Sequence, residues 1–136
     1  MSARRSVHVE GLGHGSLPIP VASTIGGLIA TGGIRGVDPQ TGELPDTRAQ
    51  QARQMFANLI RVIEEAGGNA DTILKVTVFA TDRSARADVD PPWMELFPDP
   101  QSRPARHLQV CDLPGGMLLQ CDALAVRIQQ SDGEPG

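Results

Sequence analysis

The pattern of apolar and polar residues near the start of the chain predicts short strands rather than helices. Runs rich in β-branched or apolar residues cover Ser6–Glu10, Val21–Thr24 and Leu28–Thr31. Stretches rich in Gly and Pro separate these runs and favour turns, and Gly36–Gly42 has the composition of a loop. The opening of the chain is therefore expected to be β-structure.

A helical period follows this loop. Between Thr47 and Ala66 apolar residues recur every three or four positions, which predicts one helix with a single buried stripe. Asp46 is expected to cap its N-terminus, and Gly67-Gly68 to end it. The expected stripe consists of Ala49, Ala52, Phe56, Leu59, Ile63 and Ala66.

A second, shorter helix is expected within about Ala87–Phe97. Its secure part starts at Asp90 as the N-cap, because the two prolines that follow suit a first turn but not a helix interior. Trp93 and Phe97, one turn apart, are expected to face a sheet. Runs of β-type composition predict the remaining strands at Ile73–Ala80, Ala105–Cys111 and Met117–Ile128.

The element order β-β-β-α-β-α-β-β favours an α+β fold, with one mixed sheet covered by two helices on one face. The other face must then be covered from outside the chain, and oligomerisation is the simplest solution. Residues 1–130 are expected to form a single domain, and residues 131–136 a flexible tail with almost nothing to bury.

Composition narrows the function classes. A net charge of −4 and only 3% aromatic residues disfavour binding to nucleic acid, which needs basic patches or stacking platforms. No apolar run is long enough for a membrane span, and the start of the chain lacks the apolar core of a secretory signal. Cys111 and Cys121 are expected to be reduced and buried in a cytoplasmic protein. Since the His and Cys residues show no metal-ligand spacing, neither a metal nor a cofactor is expected.

Short motifs follow one another in order from about Pro18 to Arg127. They are Gly36-Val-Asp-Pro-Gln-Thr-Gly-Glu43, Gln51-Ala-Arg-Gln54, Lys75-Val-Thr-Val-Phe79, Pro104-Ala-Arg106, Leu113-Pro114 and Asp122-Ala-Leu-Ala-Val126. Together they resemble the Rid (reactive intermediate deaminase, YjgF-like) family. The resemblance implies a chorismate-mutase-like fold and a homotrimer with a ligand cleft at each subunit interface.

The resemblance also implies a site and an activity. Arg106 would bind the carboxylate of a small substrate, and the backbone at Gly32 and Gly33 would contact it. The implied reaction is hydrolysis of enamines and imines such as 2-iminobutanoate to 2-oxo acids and ammonia. A guanidinium suits this role because its paired donors match the two oxygens of a carboxylate. The alternatives are a surface arginine in a weak salt bridge and, at the glycines, a plain hairpin bulge.

Some positions depart from the family pattern. Gln120 stands where the family's deaminases carry a glutamate, and an amide cannot act as a general base, although it can orient a water molecule. Ile19 replaces a tyrosine, which makes the expected substrate-binding cleft more apolar, and Asp90 replaces an asparagine. The arginine expected to bind the carboxylate is retained, whereas the residue expected to activate the attacking water is replaced.

Other residues are weaker candidates for the missing acid or base. His14, in a glycine-rich loop, would either reach an adjacent cleft or be solvated. Asp122 shares a strand face with Gln120, whereas His107 should face away from the ligand because adjacent strand residues point to opposite faces.

Different functions remain open on this sequence. The first is a deaminase with Arg106 and Gln120 in its active site. The alternatives are a tailoring enzyme acting on another carboxylate substrate and a non-catalytic, metabolite-binding trimer. RNA cleavage, sometimes ascribed to the family, has little support in an acidic chain.

Overall fold

A computed structural model describes residues 3–128, so the expected tail at 131–136 lies outside the described residues. It contains helices α1 (Arg48–Glu65) and α2 (Arg86–Leu96) and short 3-10 turns at Ala70–Thr72 and Arg83–Ala85. The strands are β1 (Arg5–Val7), β2 (Ala22–Ile25), β3 (Leu28–Thr31), β4 (Ile34–Arg35), β5 (Ile73–Ala80), β6 (Ala105–Val110) and β7 (Leu119–Val126).

The strands form one mixed sheet in the order β1-β2-β3-β7-β5-β6, and β4 extends the pairing along β7. Only β5 and β6 run parallel, and all other pairs are antiparallel. The expected mixed sheet with two helices is therefore confirmed. The sequence pattern missed β4, and β1 is shorter than the predicted Ser6–Glu10 and starts one residue earlier.

Helix α1 lies across the sheet and supplies much of the core. Met55, Phe56, Leu59, Val62 and Ile63 are almost fully buried, in one core cluster with the buried residues of β5 and β7. The predicted stripe was wrong at Ala49, which is exposed. The N-cap is Thr47 rather than Asp46, because Thr47 and Gln50 form a reciprocal capping box.

Helix α2 begins at Arg86, a turn earlier than the expected start at Asp90. The 3-10 turn before it is held by Asp82, whose carboxylate accepts a hydrogen bond from the Ser84 backbone N–H, and this turn leads directly into the helix. Pro91 and Pro92 consequently lie inside the helix, where each removes a backbone donor. As expected, Trp93 and Phe97 are buried, with ring centroids 4.8 Å apart.

The face of the sheet opposite the helices carries exposed apolar side chains. Ile25, Leu28, Leu124 and Val126 lie in paired strands and are 42–66% exposed. We call these four residues the apolar patch. Its cover by another copy of the chain stays a prediction. Within residues 3–128, neither helix combines the length and apolar character that a bilayer crossing requires.

Candidate functional site

Arg106 lies on the edge strand β6, and its side chain points to the helix face of the sheet. It pairs in register with Val76, which is fully buried beneath the helices. Its Nη2 donates a hydrogen bond of 2.7 Å to Oδ1 of Asp90, and its guanidinium carbon lies 4.9 Å from the ring centroid of Trp93. Arg106, Asp90 and Trp93 form what we call the Arg106 group. The salt bridge of the alternative interpretation therefore exists, but its arginine side chain is only 18% exposed rather than on the surface.

One buried nitrogen of this arginine, Nη1, has no hydrogen-bond partner among the described residues. A buried donor without a partner costs free energy, about 1–3 kcal/mol or more for a charged group. An acceptor that reached Nη1 would recover that cost, which makes this nitrogen a candidate contact for a ligand oxygen.

A second set of candidate residues surrounds the glycines that follow β3. A Cβ atom added to Gly33 would lie 3.2–3.3 Å from three atoms of the Gln120 side-chain amide, so the amide packs directly against this glycine. Gln120 pairs across the strands with Arg35 of β4. The Arg35 Nη2 donates a hydrogen bond of 2.8 Å to the carbonyl oxygen of Gly13.

His14 joins this set from the neighbouring loop. Its Nε2 lies 3.9 Å from the position that a Cβ atom on Gly32 would occupy, and this nitrogen is buried with no partner among the described residues. Burial, followed by the positive charge of Arg35, lowers the pKa of His14 below its ordinary value of 6.5. We call His14, Gly32, Gly33, Arg35 and Gln120 the Gly33 group. Its histidine is neutral near pH 7 and available as a hydrogen-bond acceptor or base.

The remaining candidates contribute less. Ile19 is 51% exposed and lies just before Pro20, whose carbonyl oxygen is 3.7 Å from the Cβ position on Gly32. Asp122 is on the same face as Gln120, and burial raises its pKa even though Lys75 opposes that change. His107 is exposed on the face opposite Arg106. Among the described residues, no three His, Cys, Asp or Glu side chains cluster closely enough to hold a metal ion.

The cysteines differ from each other. Cys121 is fully buried and points away from Gln120, and burial strongly raises the pKa of its thiol. Cys111 is only half-buried, at the end of β6, so the expectation of burial is confirmed for Cys121 alone. Neither thiol belongs to the Arg106 group or the Gly33 group.

One chain does not bring these two groups together. Gln120 pairs with Phe79, which is three residues from Val76, the partner of Arg106. Since side chains alternate along a strand, Arg106 and Gln120 project from opposite faces of the sheet. Sequence reasoning missed the stacking of Trp93 on Arg106 and the pairing of Arg106 with Asp90. The available signal was that the helix with Asp90 and Trp93 directly precedes the edge strand with Arg106.

The fold and these two groups place the chain in a class of small α+β proteins with one helix-covered sheet. The family model described as endoribonuclease L-PSP matches residues 20–127. The chain belongs to this family, which is the YjgF/Rid family that its motifs resemble.

Curated relatives extend the match. A RutC family protein of Haemophilus influenzae is 36% identical over 124 residues, which cover 89% of this chain and 95% of that protein. The 2-iminobutanoate/2-iminopropanoate deaminase of Escherichia coli K12 is 36% identical over 105 residues, or 76% of this chain and 82% of the enzyme. The crystal structure of E. coli TdcF with bound serine superposes with a TM-score of 0.82 at 28% identity, covering 91% and 99% of the two chains.

Proposed function

We propose that this protein is an enamine/imine deaminase that hydrolyses small 2-imino acids to 2-oxo acids and ammonia. The observation that carries the proposal is the buried Nη1 of Arg106, which has no partner within residues 3–128 and would donate to a substrate carboxylate. A relative that is 36% identical and named 2-iminobutanoate/2-iminopropanoate deaminase supports the same reaction.

In the proposed reaction, water adds to the imine carbon and the resulting carbinolamine expels ammonia, leaving the carbonyl of a 2-oxo acid. Arg106 fixes the substrate through its carboxylate and so aligns the imine carbon with the attacking water. Gln120 orients that water by hydrogen bonding, while Gly32, Gly33 and Ile19 line the cleft. Because a neutral amide is too weakly basic to accept a proton near pH 7, Gln120 does not remove a proton from the water.

The proposed active unit is a homotrimer. Arg106 and Gln120 lie on opposite faces of one sheet, so a substrate can contact both only where two copies of the chain meet. The apolar patch supplies a reason for that association, because burying its side chains removes apolar surface from water. Light scattering after size-exclusion chromatography should give three times the 14.4 kDa of one chain, and a stable monomer would refute this assembly.

The activity is tested by supplying 2-iminobutanoate from an amino-acid dehydratase and following the release of 2-oxobutanoate. The wild-type chain should accelerate this release, and Arg106→Ala should lower kcat/KM by about 100-fold. Arg53→Ala is the matched control, because Arg53 forms an exposed pair with Glu95 on the helical surface. No acceleration by the wild type, or equal rates for wild type and Arg106→Ala, would refute the proposal.

The replacement of the family's glutamate by Gln120 favours a second candidate function. In it the same cleft holds a carboxylate metabolite without converting it, because no base activates water. Arg106-dependent binding of a 2-oxo acid, without turnover of any imine supplied, would favour this binding function over the deaminase.

A further inference from the structure

The pairing of Arg106 with Asp90 bears on which ligands the anchor selects. A free carboxylate binds an arginine most strongly when it is the only anion in contact with the guanidinium. Here Asp90 already accepts a 2.7 Å hydrogen bond from Nη2, so the positive charge is shared before any ligand arrives. The Nη1 of Arg106 is buried and has no hydrogen-bond partner in the described part of the chain.

We propose that Asp90 is a specificity-determining residue that weakens the hold of Arg106 on free carboxylates and favours ligands presenting a neutral acceptor to Nη1. Such acceptors include the carbonyl oxygen of an amide or an ester. The inference rests on the proposed function, because it takes Arg106 as the substrate anchor.

Electrostatics gives the direction of the effect. A ligand carboxylate at Nη1 would be within a few ångströms of the Asp90 carboxylate, and like charges at that distance repel each other. A neutral carbonyl oxygen meets no such repulsion and still supplies the acceptor that Nη1 lacks. Trp93 stacks against the guanidinium and keeps it in place for either kind of ligand.

The exposure of Asp90 to solvent limits how much it weakens carboxylate binding. The Asp90 side chain is 43% exposed, so solvent screens its charge and the side chain can turn toward water when a carboxylate binds. Asp90 therefore attenuates the binding of carboxylates without blocking it. We expect the affinity ratio between an acid and its neutral analogue to change by about tenfold when the charge is removed.

The test is calorimetric binding of 2-oxobutanoate and of its neutral amide to the purified full-length protein. Asp90→Asn removes the charge while keeping the shape of the side chain. It should tighten the Kd for 2-oxobutanoate about tenfold and leave the Kd for the amide within about twofold. Adding Arg106→Ala to Asp90→Asn should abolish the gain.

Asp88→Asn is the matched control. Asp88 lies on the same helix, two residues away, and pairs with Arg48 at 2.6 Å with a side chain 27% exposed. The same loss of charge there should leave the ratio of the two Kd values unchanged. The inference is overturned if Asp90→Asn does not move this ratio or if Asp88→Asn moves it equally.

The outcomes also separate this inference from the proposed function. If 2-oxobutanoate binds through Arg106 but Asp90→Asn does not change the ratio of the two Kd values, only the inference fails. If the ratio responds to Asp90→Asn while no variant hydrolyses 2-iminobutanoate, the inference holds and the deaminase assignment fails. Binding that is indifferent to Arg106 in every variant refutes both.

Discussion

The side-chain amide of Gln120 packs against Gly33 so closely that a Cβ atom on that glycine would lie 3.2 Å from the amide nitrogen. The absence of a side chain at this position therefore leaves the room that the Gln120 amide occupies. In the proposed mechanism Gln120 orients the attacking water. A side chain added at Gly33 would therefore displace the group that orients this water.

Gly33→Ala should lower the rate of imine hydrolysis about tenfold, since it displaces the end of a water-orienting side chain by a few tenths of an ångström. The φ angle of Gly33 is not positive, so alanine fits the backbone, and the unfolding free energy should change by less than about 1 kcal/mol. Urea unfolding and steady-state kinetics measure the two effects.

Gly27→Ala is the control for this substitution. A Cβ atom there would meet nothing within 4 Å, and the φ angle of Gly27 is not positive. Its activity should match that of the wild type. If Gly33→Ala retains full activity, the close packing of Gln120 has no role in hydrolysis.

Gln120→Glu should increase imine hydrolysis by about tenfold or more, because a carboxylate can accept the proton that an amide cannot. Arg35, directly across the strands from Gln120, favours the charged form of the introduced carboxylate. The pH profile of kcat should also gain a rise through the titration of this group.

Gln109→Glu is the control, because it makes the same change at an exposed position of β6. Gln109 and Gln120 both pair with Phe79 of β5, Gln109 from strand β6 and Gln120 from strand β7. Gln109→Glu should leave both the rate and the pH profile unaltered. Equal behaviour of the two variants would show that position 120 does not contact the attacking water.

The stability of the protein should fall as the pH drops below about 6.5, partly through His14. Burial and then Arg35 lower the pKa of His14 in the folded state, so the unfolded chain binds this proton more readily. The contribution of a neutral His14 is complete above the unfolded pKa of 6.5 and is lost as the pH falls through the lower folded value.

His14→Gln should therefore flatten the acid side of the stability profile, measured by urea unfolding between about pH 5 and pH 8. His8→Gln, at an exposed position, serves as the control and should keep the slope of the wild type. A slope that is unchanged in His14→Gln would mean that this histidine has the same proton affinity in both states.

Much of the fold could be predicted because its long helix and long strands show clear patterns of apolar residues along the sequence. The stripe of α1 and the β-branched run of β5 are local signals, and the structure confirms both except at Ala49 of the stripe. By contrast, β4 has only two residues, too few to show alternation. The start of α2 was missed because Pro91 and Pro92 placed the expected N-cap at Asp90, and the capping role of Asp82 was not considered.

The candidate site could be predicted only as a set of residue types. Which face of the sheet Arg106 occupies depends on the pairing of β6 with β5, a contact between segments far apart in sequence. Likewise, the choice of Asp90 as the partner of Arg106 depends on how α2 lies against the sheet edge. Such long-range geometry has no local signature in the sequence.

The stacking of Arg106 on Trp93 has a practical consequence, because Trp93 is the single tryptophan of the chain and there is no tyrosine. Near-ultraviolet excitation therefore reports on one indole, and the guanidinium of Arg106 lies 4.9 Å from its ring centroid. A ligand that draws the guanidinium away from the ring should change the emission intensity. The protein thus carries its own optical probe of ligand occupancy, without any attached dye.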